Sequence, residues 1–252
     1  MTAAPVSGSD VLAALGTVVD PELDEPITDL GFVRSVVLDD DGVTVHLRLP
    51  TAFCSPNFAY LMASDAQDAL RAIEDIGHVR ILLDDHHDSG KINRGLAADA
   101  GYRGTFGSEA EENLDELRRT FRRKAHLAAL ERCLENLLKH SELTVDDIPS
   151  LTLSDIPPGR QKAALIRRRL DIGLSLCPAS RVFVDDDGRP IPREAVPMRL
   201  RFAKSVRISM EGNAHFCRGL LATRYADGDG GSATPRVADV RTSCSAIVRR
   251  VS

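Results

Sequence analysis

Tryptophan is absent and aromatic residues make up only 4% of the 252 residues, so basic stretches have almost no rings interleaved with them for stacking nucleobases. Excess positive charge is missing too. The formal net charge is −5, which excludes the electrostatic footprint of a dedicated nucleic-acid binder. Cysteine is sparse: the five cysteines, at positions 54, 133, 177, 217 and 244, are far apart and form no C-x-x-C pair. That spacing excludes both a disulfide framework and a zinc ribbon. The first ten residues have neither the basic nor the apolar region of a secretory signal, and no apolar run is long enough to span a bilayer. The expectation is a soluble, reducing, cytoplasmic protein without membrane partners. With 43% apolar and 27% charged residues, 18 Gly and 13 Pro, the composition is ordinary globular usage and excludes collagen-like, coiled-coil and wholly disordered chains.

What is present is a pattern of periods. Val11, Leu12, Leu15, Val18 and Val19 recur at helical spacing behind Ser9-Asp10, and Pro21 stops them. Two strand-like runs, residues 32–38 and 43–49, flank Asp39-Asp40-Asp41-Gly42, which is a hairpin signal. Ser55 and Pro56 open a second helix carrying Phe58, Leu61, Met62, Ala66, Ala69, Leu70 and Ile73, and residues 79–83 read as a buried strand. The predicted fold class is α+β: a small α-β-β-α-β domain over residues 1–88, a mainly helical extension with a short strand region over 89–226, and a disordered tail over 227–252. Glycines at 90, 95, 101, 104 and 107 predict a long loop over 89–108. The strongest helix signal spans 109–140, a further helix is predicted at about 160–173, and Val206, Ile208 and Met210 alternate like a strand.

Strand direction brings distant residues together. If the second and third strands are joined by a helical crossover they are parallel, and the first strand is antiparallel to the second. Three segments then share one sheet edge: residues 20–31, 51–56 and 84–88. That edge collects Asp20, Glu22, Asp29, Cys54, His86 and His87, the ligand types of an iron or zinc site. Cys54 lies just before a helix N-terminus, which favours thiolate; a buried, inert thiol is the bland alternative. His86 and His87 are adjacent, so one ligand is expected from the pair rather than two. Glu211, His215 and Cys217 form a second, weaker metal candidate, because Gly212 and Asn213 interrupt the segment. Arg118, Arg119, Arg122 and Arg123 form a basic run that is expected to be a solvated or partner-binding face.

Val19-Asp20-Pro21-Glu22, then Thr28-Asp29-Leu30-Gly31-Phe32-Val33, the hairpin, and Thr51-Ala52-Phe53-Cys54 opening the second helix together resemble the SufT/PaaD-like iron-sulfur cluster assembly family. The resemblance covers about residues 9–84. It implies the fold read above, a non-enzymatic maturation role in delivering iron or an iron-sulfur cluster, transiently held, to a client metalloenzyme, and a functional role for Cys54 at the family's reactive-cysteine position. The chain departs from the family pattern where Ser55 separates Cys54 from Pro56, in lacking Pro-Trp after the third strand, and in continuing well beyond the domain. The continuation, with Asp85-His86-His87, Lys91-Ile92-Asn93-Arg94, the Arg-rich helix and Ser209-Met210-Glu211-Gly212-Asn213, resembles long members that accompany actinobacterial binuclear-iron monooxygenases, which implies a di-iron hydroxylase as client. A homodimer is one admissible assembly. Two rival readings use the same residues: a metal-dependent enzyme working at the Cys54/His86 edge, and a metal-free interaction scaffold.

Overall fold

The first helix, α1 (Gly8–Leu15), starts where Ser7 and Asp10 cap each other: the Asp10 amide donates to Ser7 Oγ at 3.3 Å and the Ser7 amide donates to the Asp10 carboxylate at 2.9 Å. It is followed by two short strands, β1 (Val19–Asp20) and β2 (Glu25–Pro26), by the hairpin β3 (Val33–Leu38) and β4 (Gly42–Leu47), then by helix α2 (Pro56–Arg71) and β5 (His78–Leu83). The architecture is α+β, a sheet with helices and then a mostly helical C-terminal region. The computed structural model describes residues 5–110, 114–226 and 234–242.

β3 and β4 are antiparallel and β4 and β5 parallel, the directions that the crossover argument requires. Alternation explains the burial: Val43, Val45 and Leu47 enter the core, while Thr44 and His46 stay half-buried. Helix α2 covers that face with Ala59, Met62, Ala63, Ala66 and Leu70. The register of β3 shifts between Val33 and Ser35, and Arg34 in that bulge reaches the Asp84 carboxylate at 3.1 Å. The same carboxylate lies 3.0 Å from His46 Nδ1. Gly42 has φ 151°, and any side chain there would run into the His78 backbone.

Three sequence expectations are corrected by the backbone. Residues 89–108, expected as a loop, form α3 (Ser89–Ala97) and α4 (Gly101–Phe106). The glycines there serve junctions and contacts: Gly101 and Gly107 take positive φ, and Gly95 sits so close to Thr105 that a methyl group would clash. Part of the tail expected to be disordered is a strand, β6 (Arg236–Asp239), parallel to β3, so the sheet order is β5-β4-β3-β6. Val237 of β6 packs on Gly8 of α1, where no side chain intervenes. Residues 227–233 and 243–252 of that tail lie outside the described residues. Finally, Val206, Ile208 and Met210 belong to a helix, α7 (Val196–Arg224). Three alternating residues mimic a strand, but Val196, Ala203, Met210, Ala214 and Leu221 are the buried ones and follow helical spacing.

The chain divides into two units, Met1–Leu114 with Ala214–Ser252, and Asp115–Asn213. The first keeps α3 and α4 with the sheet, so the boundary expected at residue 88 falls inside it. The second is built on α5 (Leu114–Lys139) and α6 (Arg160–Asp171). Leu130, Cys133, Leu134 and Leu137 of α5 pack with Ile148, Leu153, Leu165 and Phe183. Arg169 is 1% exposed there, and its Nε and Nη1 donate to the carbonyls of Ser175 and Val182 at 3.0 and 3.2 Å. Arg207 is held by three carboxylates, those of Glu131, Glu135 and Glu211.

Candidate functional site

The edge beyond the C-terminal ends of β4 and β5 is tied together by short backbone contacts. The His87 amide donates to the Ala52 carbonyl at 2.9 Å. The imidazole of His86 donates through Nε2 to the Cys54 carbonyl at 2.8 Å, and its Nδ1 accepts the Asp88 amide at 3.0 Å. Thr51 Oγ1 accepts the Phe53 amide at 3.1 Å and lies 3.5 Å from Cys54 Sγ. These bonds hold Cys54, half-buried, just before Ser55 and the start of α2.

His86 is held by backbone groups on both sides of its ring. Both ring nitrogens are used within the fold, and the ring is 5% exposed. It fixes the cysteine loop. His87 is exposed, its ring 6.0 Å from that of Phe53, which is itself 82% exposed. Among the described residues no group of three or more His, Cys, Asp and Glu side chains could hold a metal ion, so the six-residue composite site does not form as a ready coordination sphere.

Asp20 occupies the opposite loop. It is 7% exposed, its Oδ1 accepts the amides of Glu22 and Leu23 at 2.8 and 2.9 Å, and burial raises its pKa to about 6. Glu22 and Glu25 add to that rise. A carboxyl with this pKa exchanges a proton near neutrality. Asp29 is exposed and lines a small cavity of about 110 Å³ with Arg48, Arg218, Leu221 and Tyr225. Gly31, at φ 76°, presents its carbonyl to Arg48 Nε at 3.2 Å.

The residue that sequence reasoning put in the wrong company is Cys217. The expected cluster of Glu211, His215 and Cys217 is not a unit: Glu211 is paired with Arg132 and Arg207, and His215 is exposed. Cys217 instead packs against the same core as Cys54, and burial pushes its thiol up to about 11, with Asp20, Cys54 and Glu22 adding to the effect. The last turns of α7 are fastened to this edge. Arg218 pairs with Glu25, Arg224 donates to the carbonyls of Leu49 and Asp85, and Tyr225 Oη donates to Asp85 Oδ2 at 3.3 Å. Arg48 lies over the Tyr225 ring at 5.0 Å. No local motif announces this, because the two thiols are 163 positions apart in the sequence.

The arginine run is heterogeneous. Arg119 and Arg122 are exposed, Arg123 pairs with Asp186 at 3.3 Å, and Arg118 is half-buried. No described helix is long and apolar enough to cross a membrane.

Residues 9–83 match the family described as iron-sulfur cluster assembly protein. The uncharacterized protein MJ1129 of Methanocaldococcus jannaschii is 35% identical over 92 residues, which are 36% of this chain and 95% of that relative. No solved structure matches the chain significantly. The family match ends at the close of β5, so the helices that follow, Cys217 included, lie beyond it.

Proposed function

The chain belongs, through residues 9–83, to the iron-sulfur cluster assembly protein family, and from that premise we propose that it is a non-enzymatic accessory factor handing iron or an iron-sulfur cluster to a client metalloenzyme, with a binuclear-iron monooxygenase as the client. The observation that carries this reading is the placement of Cys54: a half-buried thiol at the entrance of α2, inside the matched segment, packed against the same core as Cys217, whose thiol in turn feels the charges of Asp20 and Glu22. Iron is cargo here. A site offering thiols and carboxylates without a closed cage suits transient binding, since stable structural sites surround the metal with a full ligand set. Hand-over needs ligands that let go.

The extension supplies the remainder of the reading. The end of α7 encloses the Cys54 edge, and the exposed Arg119 and Arg122 on α5 offer positive charge to an acidic patch of the client. The client assignment rests on the likeness of the extension to long family members that accompany such monooxygenases.

Co-expression of client and factor tests the reading. With the wild-type factor the purified client carries iron and is active; with Arg119→Glu/Arg122→Glu the factor stays folded and client loading falls. Undiminished client iron in the absence of the factor contradicts the proposal, as does turnover of ester or phosphate substrates by the factor itself.

A further inference from the structure

The second unit holds a larger cavity, of about 770 Å³, with no assigned role, between α5 and the start of α6. We propose that it binds a small molecule bearing two or more phosphate groups. Its charge is one-sided: Arg132 from α5 and Arg160, Lys162 and Arg167 from α6 line it, and no carboxylate and no aromatic ring does. Arg132 already has a partner in Glu211 at 3.0 Å, and Lys162 donates to the Ile156 carbonyl at 2.8 Å. Arg160 and Arg167 are both exposed and make no ion pair among the described residues. Two arginines without counter-charges are therefore turned to one concave surface.

The local sequence of α6 runs against helix electrostatics at the same place. Its first turn contains no acidic residue but has Arg160 and Lys162, and its N-cap, Gly159, offers no side-chain acceptor to the open amides. Cations at a helix N-terminus are unfavourable, and an uncapped N-terminus leaves donors unsatisfied. A bound anion relieves both defects and neutralises the two arginines. The dimensions select among anions. The cavity lies within the volume range of small-molecule sites, well beyond what one phosphate fills. Arg160 and Arg167 are about 10 Å apart along the helix axis at 1.5 Å per residue, a spread that two or more linked phosphates match. Proline, isoleucine, alanine and cysteine with the side-chain amides of Asn136 and Gln161 form the remaining walls, so nothing is present to stack a nucleobase and the non-ionic part of the ligand is non-aromatic.

The test is calorimetric titration of the full chain with inorganic tripolyphosphate at low salt. Saturable binding near one-to-one is expected, weakened about tenfold by Arg160→Ala and by Arg167→Ala, with unchanged circular dichroism. Arg201→Ala, in the same unit but outside the cavity, should leave affinity unaltered. Absence of saturable binding overturns the proposal, and so does an equal loss in Arg201→Ala, which would mark diffuse attraction only. Tighter binding of an acidic peptide than of tripolyphosphate would also overturn it, by making the cavity a protein-docking surface.

Discussion

His86 and Cys54 are linked through backbone: the ring donates from Nε2 to the Cys54 carbonyl at 2.8 Å while Nδ1 takes the Asp88 amide at 3.0 Å. One imidazole thus joins the turn after β5 to the loop that presents the thiol. The bond pair fixes the neutral tautomer with its proton on Nε2. His86→Ala should lose about 1–3 kcal/mol, because a buried acceptor and a donor are left without partners. Iron bound through Cys54 should nevertheless keep its absorption spectrum in this variant. A spectrum changed as if a nitrogen ligand had been removed would return His86 to the coordination sphere.

Asp20 is the acid whose position opposes its ionisation. Its folded pKa of about 6 lies above the ordinary 3.8, so the unfolded state releases its proton first and stability falls as pH rises from about 4 through 6. The full effect is of the order of 3 kcal/mol. Asp20→Asn keeps an oxygen for the amides of Glu22 and Leu23 and removes the charge, so it should be more stable than wild type at pH 7.5 and equal to it at pH 3.5. Urea denaturation at the two pH values measures this. A destabilised Asn variant at pH 7.5 would show that the charge is compensated in the fold.

The thiols separate by environment. Cys133 is 2% exposed in the core of the second unit and burial pushes its thiol up to about 11, so it should resist alkylation. Cys54, half-buried at a helix entrance, should be modified before Cys133 and Cys217. Mass spectrometry of iodoacetamide-treated protein gives the order directly. Faster labelling of Cys133 would contradict it.

The sequence carried the α-β-β-α-β order because each element was signalled locally: alternation at Val43, Val45 and Leu47, Pro56 at a helix start, Asp-Gly in the hairpin. Strand directions followed from the crossover, and with them the meeting of the Cys54 loop and the His86 turn. Periodicity could not show β6, whose pairing partner is some two hundred residues away and whose residues are all exposed. Glycine count misled at 89–108, because Gly95 serves helix contact, Gly101 starts a helix and Gly107 ends it. Nor did residue type reveal that His86 spends both nitrogens on backbone, or that Cys217 faces the acidic loop. Those facts depend on packing of the chain end, which no window of sequence contains.

His126 provides a pH test of the second unit. Its Nε2 is buried with no hydrogen-bond partner among the described residues, and burial, with Arg169 contributing, holds its pKa down to about 4. A histidine neutral in the fold and free to charge when unfolded confers stability that is present above about 6.5 and lost as pH falls through 4. The loss approaches about 3 kcal/mol in full. His126→Leu should flatten the difference between urea midpoints at pH 7 and pH 4.5 relative to wild type. An unchanged difference would mean that the imidazole is solvated in the native state.

The central claim is that Cys54 passes iron to a client, and its most direct test is the metal content of that client. A binuclear-iron hydroxylase co-expressed with Cys54→Ser should be recovered with its iron and activity sharply reduced, although the factor itself, changed by a nearly isosteric substitution, keeps its circular dichroism and urea midpoint. Cys133→Ser, with the thiol buried in the core of the second unit, should leave client iron at the wild-type level. A fully loaded, fully active client with Cys54→Ser would contradict the account, because the thiol at the entrance of α2 would then be dispensable for the delivery assigned to it.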